Sequence, residues 1–545
     1  SLFERSEVKD LVSLLSLLVD RRAMGLVRIA CWPDFALSFA DVIPVLEHLR
    51  EVEQAPISWL QHISLIPGVS DNGRQALAKL AAALDGFDQT ASPWTVLATI
   101  LFDCTRIAAR LGTSTDLADC ARGIAIWQFL NFVRAQPVGR GLPIIRLLDR
   151  VRRLVRLGDD RELRQLPTAA QHLNAVRLMT IHAAKGLEFA CVHILGLNSD
   201  TIPRVSPKLA CPPPDGMIAG AEGGTIESLR IGHVEEQECL FYVAQSRARD
   251  RLIHYAPTEK SNGHSRPLSP FLDRLGVSLV RRSIVPSRSL PEAVEARAID
   301  LVIDGRLSFG ASQIALYESC PRRFFYTHVL QVGGRRAATS FMRMHEAVRS
   351  IVDVIIAPGA SMTAQDLVSY IDAALAGVGL ANHGYRVEFR DMAFAMLHFL
   401  LMNREGAIAE TSITVSLMLG EEEILVKPDE VFVRRDGVRV VRRIRTGHIR
   451  STENKDVGAA ALILAVNQAF PGAIAELVYL SDGTASTLAL SDRELQGRKD
   501  KLTRFLAKIR AGQFPGEMSS RACPNCPAFF ICGPTPEGPL KKKFA

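Results

Sequence analysis

No apolar run in this 545-residue sequence is long enough to cross a membrane. The longest, Leu11–Val19 and Ala459–Val466, fall short of the ~20 residues that a spanning helix requires. No secretory leader is visible, so a cytoplasmic setting without a membrane partner is expected. Ser at position 1, where a start would have Met, points to a piece of a longer chain. Ten cysteines in a cytosolic chain argue against a disulfide framework. Six of them (Cys31, Cys104, Cys120, Cys191, Cys211, Cys239) are scattered, mostly in apolar surroundings, and are expected to be buried small hydrophobes.

A content of 48% hydrophobic and 23% charged residues is that of a well-buried globular protein. The length allows roughly three domains at ~150 residues each. A net charge of +7, with many arginines, fits a polyanionic partner. The most structured stretch is Val176–Pro203, VRLMTIHAAKGLEFACVHILGLNSDTIP. An apolar run, Val176–Ile181, reads as a strand. It empties into a polar loop, His182–Glu188, and a second run, Cys191–Leu197, reads as a strand buried on both faces. Open α/β sheets place ligand chemistry at such loops, but a plain strand–turn–strand connection has the same pattern.

Along the chain, Val8, Leu11, Val12, Leu15 and Leu18 share one helical face, with Ser6 as N-cap. Residues 31–167 are mainly helical, with breaks near Pro67-Gly68, Ser92-Pro93 and Gly139–Pro143. Within them Arg150–Arg164 is either a solvated helix face or a nucleic-acid contact. Glu235–Arg249 is helical, and Leu252–Tyr255 is a returning strand. Arg247, Arg249 and Arg251 suit the helix dipole or a bound phosphate. Residues 258–300 read as a linker with one short helix, Pro270–Leu275. A further domain, 301–540, begins with helices to about Asn403. Strands follow at Thr411–Met418, Ile424–Arg434 and Val438–Ile444, the last two joined by an Asp436-Gly437 turn. Then come an apolar helix, Val457–Phe470, a strand, Glu476–Leu480, and a basic helix, Asp492–Ala511. Residues 541–545, KKKFA, are expected to be a disordered basic tail.

Three segments resemble the UvrD/Rep/PcrA-type superfamily 1 DNA helicases. VRLMTIHAAKGLEF and EEQECLFYVAQSRARDRL resemble the fifth and sixth motifs of that family, and FERSEVKD resembles the segment after its fourth. The resemblance implies that residues 1–30 and 168–257 form the second RecA-like domain and that 31–167 is its inserted helical domain. It implies that Glu188 holds the nucleotide ribose and that Arg247 is an arginine finger for γ-phosphate charge. It also implies that Thr180 and His182 touch single-stranded DNA. Gln245-Ser246 departs mildly from the family pattern before the finger. No G-x-x-x-x-G-K-[ST] loop occurs anywhere in the sequence. ATP and Mg²⁺ are therefore expected to be engaged only with an N-terminal RecA-like domain, absent here, and this chain alone is not expected to hydrolyse ATP.

A second resemblance is to AddB-type iron–sulfur nucleases of the RecB-like PD-(D/E)XK class. It rests on Cys320-Pro-Arg-Arg-Phe and Cys523-x2-Cys526-x5-Cys532. It implies that Cys320, Cys523, Cys526 and Cys532 hold a 4Fe–4S cluster as a clasp across the fold. A zinc site or free thiols remain open from the spacing. The nuclease site of that class matches His345 and Asp429. The expected Asp/Glu-x-Lys-Thr-Gly, however, reads Arg443-Ile444-Arg445-Thr446-Gly447. Arginine cannot ligate a cation and places positive charge where Mg²⁺ belongs. The expectation is therefore a vestigial nuclease, in which Arg443 and Arg445 either hold DNA phosphates or are neutral drift.

The sequence thus predicts an α/β chain: a RecA-like helicase domain with a helical insertion, then an α+β PD-(D/E)XK nuclease-like domain. The expected function is that of the C-terminal half of an ATP-dependent DNA helicase of helicase–nuclease type, in unwinding, end processing or repair. Its partners would be single-stranded DNA or duplex ends and a nuclease or helicase subunit. The alternatives are a non-catalytic DNA-binding or assembly subunit, or an active nuclease in which Glu410 or Glu430 substitutes.

Overall fold

The computed structural model of the chain describes residues 2–52, 54–159, 163, 175–220, 223–260, 262–276, 298–332, 339–359, 362–404, 406–449, 453–516, 518–519 and 522–544. The end of the expected helical insertion, with Arg164 of the Arg-rich run, and residues 277–297 of the expected linker lie outside the described residues. The chain divides into two compact units. One is Ser1–Gln171 with Pro291–Ala545, and the other is His172–Leu290.

The first unit opens with helices α1 (Ser6–Leu17), α2 (Leu26–Ile29), α3 (Phe39–Glu51), α4 (Asp71–Leu84), α5 (Pro93–Ala98), α6 (Ile107–Thr113), α7 (Leu117–Arg134) and α8 (Pro143–Leu157). The expected breaks at Pro67-Gly68, Ser92-Pro93 and Gly139–Pro143 all fall between helices. Helix α1 is buried around most of its circumference, Leu14 and Leu17 as well as the expected face. Ser6 does not cap it. Arg5 is the N-cap residue, and the Ser6 hydroxyl accepts from Arg28 Nη2 at 2.7 Å instead.

The second unit contains β1 (Phe189–Ile194), α9 (Thr225–Gln245) and β2 (Ala248–His254), with β1 and β2 paired in parallel. The expected strand Val176–Ile181 is not formed: its residues are irregular, and Val176 and Leu178 are 92% and 89% exposed. The strand expected to be buried on both faces is largely exposed, because among the described residues only β2 pairs with it. Burial on two faces needs layers on both sides of a wider sheet, and two strands do not supply it. The stretch expected to begin the linker is structural. Phe271 and Leu272, on a 3-10 turn at Pro270–Leu275, pack with Ile194, Leu197, Phe241 and Ala244, so apolar burial ties 268–275 to this unit.

The chain returns to the first unit with β3 (Leu301–Asp304), β4 (Ser308–Gly310), α10 (Ala311–Ser319) and α11 (Pro321–Phe324). Three helices follow: α12 (Ser340–Ile355), α13 (Leu367–Gly377) and α14 (Arg386–Asn403). Then come β5 (Ile408–Glu410), β6 (Val415–Leu419), β7 (Glu422–Val426), β8 (Glu430–Val433), β9 (Arg439–Arg445), α15 (Val457–Ala469), β10 (Ile474–Tyr479), β11 (Thr484–Thr487) and α16 (Asp492–Arg510). The central sheet has the order β11-β10-β9-β8-β5, and β4-β7-β6 form a smaller one. The expected hairpin turn is present: Val438 returns to Arg434, and Gly437 takes φ of 81°, which glycine adopts without a Cβ clash. The expected strand Ile424–Arg434 is instead split between two sheets at Lys427-Pro428-Asp429. Pro428 has no N–H to give the ladder, and the break places Asp429 at the edge of the central sheet.

The basic tail is ordered, against expectation. Leu540–Lys543 form β12, parallel to β3, and Leu540 is fully buried. Lys542 pairs with Glu47 at 2.7 Å. The apolar residue just before the lysines anchors the strand, with Lys541 and Lys543 exposed and Lys542 turned in to its carboxylate. One apolar core joins α1–α8 to the sheet domain, from Leu2 to Leu540. The six scattered cysteines are not buried: Cys104, Cys191, Cys211 and Cys239 are exposed, and Cys31 and Cys120 are half-buried. A small side chain on a helix flank or a two-stranded sheet is reached by solvent whatever its neighbours in sequence. No helix among the described residues is long and apolar enough to cross a membrane.

Leu540→Ala is expected to cost about 2–5 kcal/mol, as for other buried leucines. Denaturant unfolding of the full chain checks this; an unchanged midpoint would mean that the tail contributes no packing.

Candidate functional site

Strand β9 carries the chemistry of the nuclease-like domain. Its side chains alternate, so Arg443 and Arg445 share one face and Arg442 and Ile444 the other. The face with Arg443 meets Asp429 and α12. Arg349, one helical turn after His345, donates Nη2 to Asp429 Oδ1 at 2.7 Å. The other Asp429 oxygen accepts the Ile444 N–H at 2.7 Å and stands 3.2 Å from Arg443 Nε. Arg443 Nη1 also donates to the Lys427 carbonyl at 2.8 Å. Burial pulls the Arg443 guanidinium below its ordinary pKa, and Asp429 pulls it back up. Arg445 Nε donates to Glu453 at 2.9 Å, and Tyr479 Oη reaches the same carboxylate at 3.4 Å. Arg443, Arg445, Glu453 and Asp456 line a small cavity of about 40 Å³ between β9, α10 and α15.

His345 and Asp429 are both brought to this region: α12 presents Arg349 to Asp429 and carries His345 beside it. The His345 imidazole sits edge-on to Phe341, with ring centroids 4.6 Å apart. Its Nδ1 is buried without a partner, and burial, then the neighbouring His448, holds its pKa below the ordinary histidine value. Among the described residues no three His, Cys, Asp or Glu side chains converge on a point as a single-ion site requires. Glu430 and Glu410 do not fill the gap left at position 443. Glu430 is buried on the opposite face with Arg404 and Arg442, and Glu410 is paired with Arg439 at 2.8 Å.

Sequence reasoning did not find the opposite face of β9. Arg442 is 1% exposed and lies at the register positions of Glu430 on β8 and Glu476 on β10. Its Nε donates to Glu476 at 3.0 Å, its Nη1 is 3.6 Å from Glu430, and its guanidinium stacks 4.3 Å from the Phe432 ring. Arg404 and Arg434 complete the lattice. The only signal was a pair of adjacent arginines in an alternating apolar strand, which must place one of them inward. Arg349 was also missed, although its spacing of four residues from His345 puts both on one helix face.

The four cysteines of the second resemblance lie within electrostatic reach of one another. Cys532 senses Cys320 and Cys523, and Cys526 senses Cys532 and Cys320. Burial raises the pKa of the Cys526 and Cys532 thiols. Backbone N–H groups point at two of the sulfurs, Arg323 to Cys320 at 3.4 Å and Ser519 to Cys523 at 3.2 Å. Arg322 Nη1 and Arg323 Nε are buried donors without an acceptor. Among the described residues these cysteines do not form a group of three or more that could hold a metal ion.

In the second unit, Glu188 and Arg247 are brought side by side at the start of β1 and β2, where Phe189 N–H donates to the Arg247 carbonyl at 2.9 Å. Glu188 is exposed. The Arg247 guanidinium folds back onto the Val243 and Leu187 carbonyls and Ser246 Oγ. Thr180 and His182 are exposed in the turn before β1, and Thr180 Oγ1 accepts the Ala183 N–H at 3.2 Å.

Comparison with known families agrees with this division of chemistry. Residues 148–256 match the UvrD-like helicase C-terminal domain, and residues 308–533 match the PD-(D/E)XK nuclease superfamily. The chain joins a UvrD-like helicase C-terminal domain to a PD-(D/E)XK nuclease domain. Among curated proteins it is similar to the ATP-dependent DNA helicase Rep of Buchnera aphidicola subsp. Schizaphis graminum, 32% identical over 98 residues. It is also similar to the putative ATP-dependent DNA helicase YjcD of Bacillus subtilis, 35% identical over 104 residues. Each match covers 18% of this chain and only 12% of the relative.

Because Asp429 is the shared acceptor of Arg349 and Arg443, Asp429→Asn is expected to cost about 1.5–3 kcal/mol, the range for hydrogen bonds to charged groups. Unfolding with and without Mg²⁺ checks it. A metal-ligand role would make the loss depend on Mg²⁺; an ion-pair role makes it the same in both.

Proposed function

We propose that this chain is the C-terminal part of an ATP-dependent DNA helicase of helicase–nuclease type, acting in unwinding, end processing or repair, with a nuclease domain that binds DNA without cutting it. The observation that carries the second half is the ion pair of Arg443 with Asp429. Mg²⁺ needs oxygen ligands in near-octahedral order. The position where the class has its second carboxylate holds a guanidinium, and that guanidinium already neutralises the first. Phosphate contacts would come from Arg445 and from the exposed arginines of α8, Arg150, Arg153 and Arg156.

The helicase half rests on the family match and on the adjacency of Glu188 and Arg247. These residues suit one wall of a nucleotide site, with Arg247 released from its backbone acceptors to meet γ-phosphate charge. Thr180 and His182 suit the DNA track. The sequence contains no phosphate-binding loop, so hydrolysis would require one from a further RecA-like domain. Cys320, Cys523, Cys526 and Cys532 would hold a 4Fe–4S cluster, with zinc the other occupant of a four-thiolate set. Bound there, the cluster supplies a covalent tie between the segment after α10 and the C-terminal loop.

The purified chain is expected to leave single-stranded DNA intact with Mg²⁺ or Mn²⁺. Cleavage that Asp429→Ala abolishes would sink the inactive-nuclease reading. The protein is expected to contain iron; zinc without iron would replace the cluster assignment. ATPase activity reconstituted with a phosphate-loop domain is expected to fall about 10³-fold or more in Arg247→Ala, the scale of an arginine finger.

A further inference from the structure

Between α1, α6 and α7, with the segment that follows α2, the helical part of the first unit leaves a cleft of about 250 Å³. Packed interiors hold few voids larger than a water molecule, and a cavity of about 150 Å³ already admits benzene. This one has room for a fused pair of rings. Its apolar lining is Leu11, Leu101 and Leu111, all buried, with Ile107 and Ile126 half-buried beside them.

The polar groups of the cleft are few. Glu7 and Asp10 are three residues apart on α1, so both share the face that lines it. Arg5 holds Glu7 through Oε1, and Arg28 holds Asp10 through Oδ1. Burial pushes the Asp10 pKa up, and Arg28 and then the nearby Trp32 pull it back. Trp32 is only 5% exposed and also lines the cleft; its Nε1 is a buried donor with no hydrogen-bond partner. Cys31 stays a neutral thiol, because burial pushes its pKa up to about 11. Arg110, one turn after Ile107 on α6, and Arg122, one turn before Ile126 on α7, are exposed at the edge.

This arrangement sorts what can enter. Carboxylates inside repel a phosphate, and arginines at the edge attract one. An occupant with its rings inside and its anion outside satisfies both. An indole N–H beside a carboxylate asks for an acceptor next to a donor. Guanine offers O6, N1–H and N2–H₂ in a row, so that O6 accepts from the indole and two adjacent donors meet the carboxylates. Adenine and cytosine place an acceptor ring nitrogen beside their one amino donor, and thymine and uracil have a single donor between two carbonyls.

We propose that this cleft binds a guanine nucleotide, free or within a nucleic-acid strand, with the base against Trp32, Glu7 and Asp10 and the phosphate on Arg110 and Arg122. The site shares no residue with the Asp429 region or with Glu188 and Arg247.

Calorimetric titration of the full chain with GMP, AMP and guanosine tests it. GMP is expected to bind saturably and roughly tenfold tighter than AMP, whose ring nitrogen would face a carboxylate without a proton between them. Trp32→Phe keeps an aromatic ring and removes the donor, and is expected to weaken GMP about five- to tenfold, the scale of one hydrogen bond. Ile126→Phe fills the cleft from a half-buried position and is expected to abolish binding. Arg110→Gln is expected to weaken GMP and leave guanosine unchanged. A single-stranded oligonucleotide containing dG that displaces GMP would assign the base to a strand; one that does not would assign a free nucleotide. No saturable GMP binding, equal affinity for GMP and AMP, or binding that Trp32→Phe and Ile126→Phe both leave unchanged overturns the proposal. Should Trp32→Phe fail to fold, Ile126→Phe decides alone.

Discussion

A guanidinium in the middle of a sheet has to meet carboxylates, and strand β9 is built around that requirement. Arg442 sits in the register row between Glu430 on β8 and Glu476 on β10, so both neighbouring strands bring it negative charge. Removing one partner from a buried set of this kind leaves an uncompensated charge, which costs more than the set contributes. The lattice therefore constrains the register of β8, β9 and β10. That register in turn sets where Arg443 and Arg445 emerge on the other face. The candidate nuclease site depends on an ionic core that never touches it.

On the site face the same logic runs with a different result. Asp429 follows a break at Pro428 and receives two arginines, Arg349 and Arg443. Arg445 repeats this with Glu453. A phosphate approaching these arginines competes with carboxylates already in place, so the exposed arginines of α8 are the more accessible anion contacts.

The N-terminal helices belong, by packing, to the unit that carries the nuclease domain. Their sequence shows an apolar helix but nothing of its counterpart. The apolar positions of α1 were legible because helical periodicity is local. That its polar residues, Lys9 and Ser13, would grip a loop more than 500 residues away was not. The hairpin at Asp436-Gly437 was legible for the same local reason, and the division of Ile424–Arg434 between two sheets was not. Pro428 marked the break, but which sheet each half joined depended on partners far along the chain. The reading of Val176–Ile181 as a strand failed because an apolar run is only a candidate for pairing, and no described strand pairs with it.

By itself the sequence determined the order of most helical and β segments, the two family signatures, the absence of a phosphate-binding loop from these 545 residues and the arginines at 443 and 445. These are matters of composition, period and short motifs, which need no partner to be read. Only the tertiary structure decided that Arg443 pairs with Asp429, that Arg442 is enclosed by glutamates, that the lysine-rich end is a strand and that α1 holds the cysteine loop. Each of these joins residues distant in the chain, and burial and charge neutralisation act between neighbours in space.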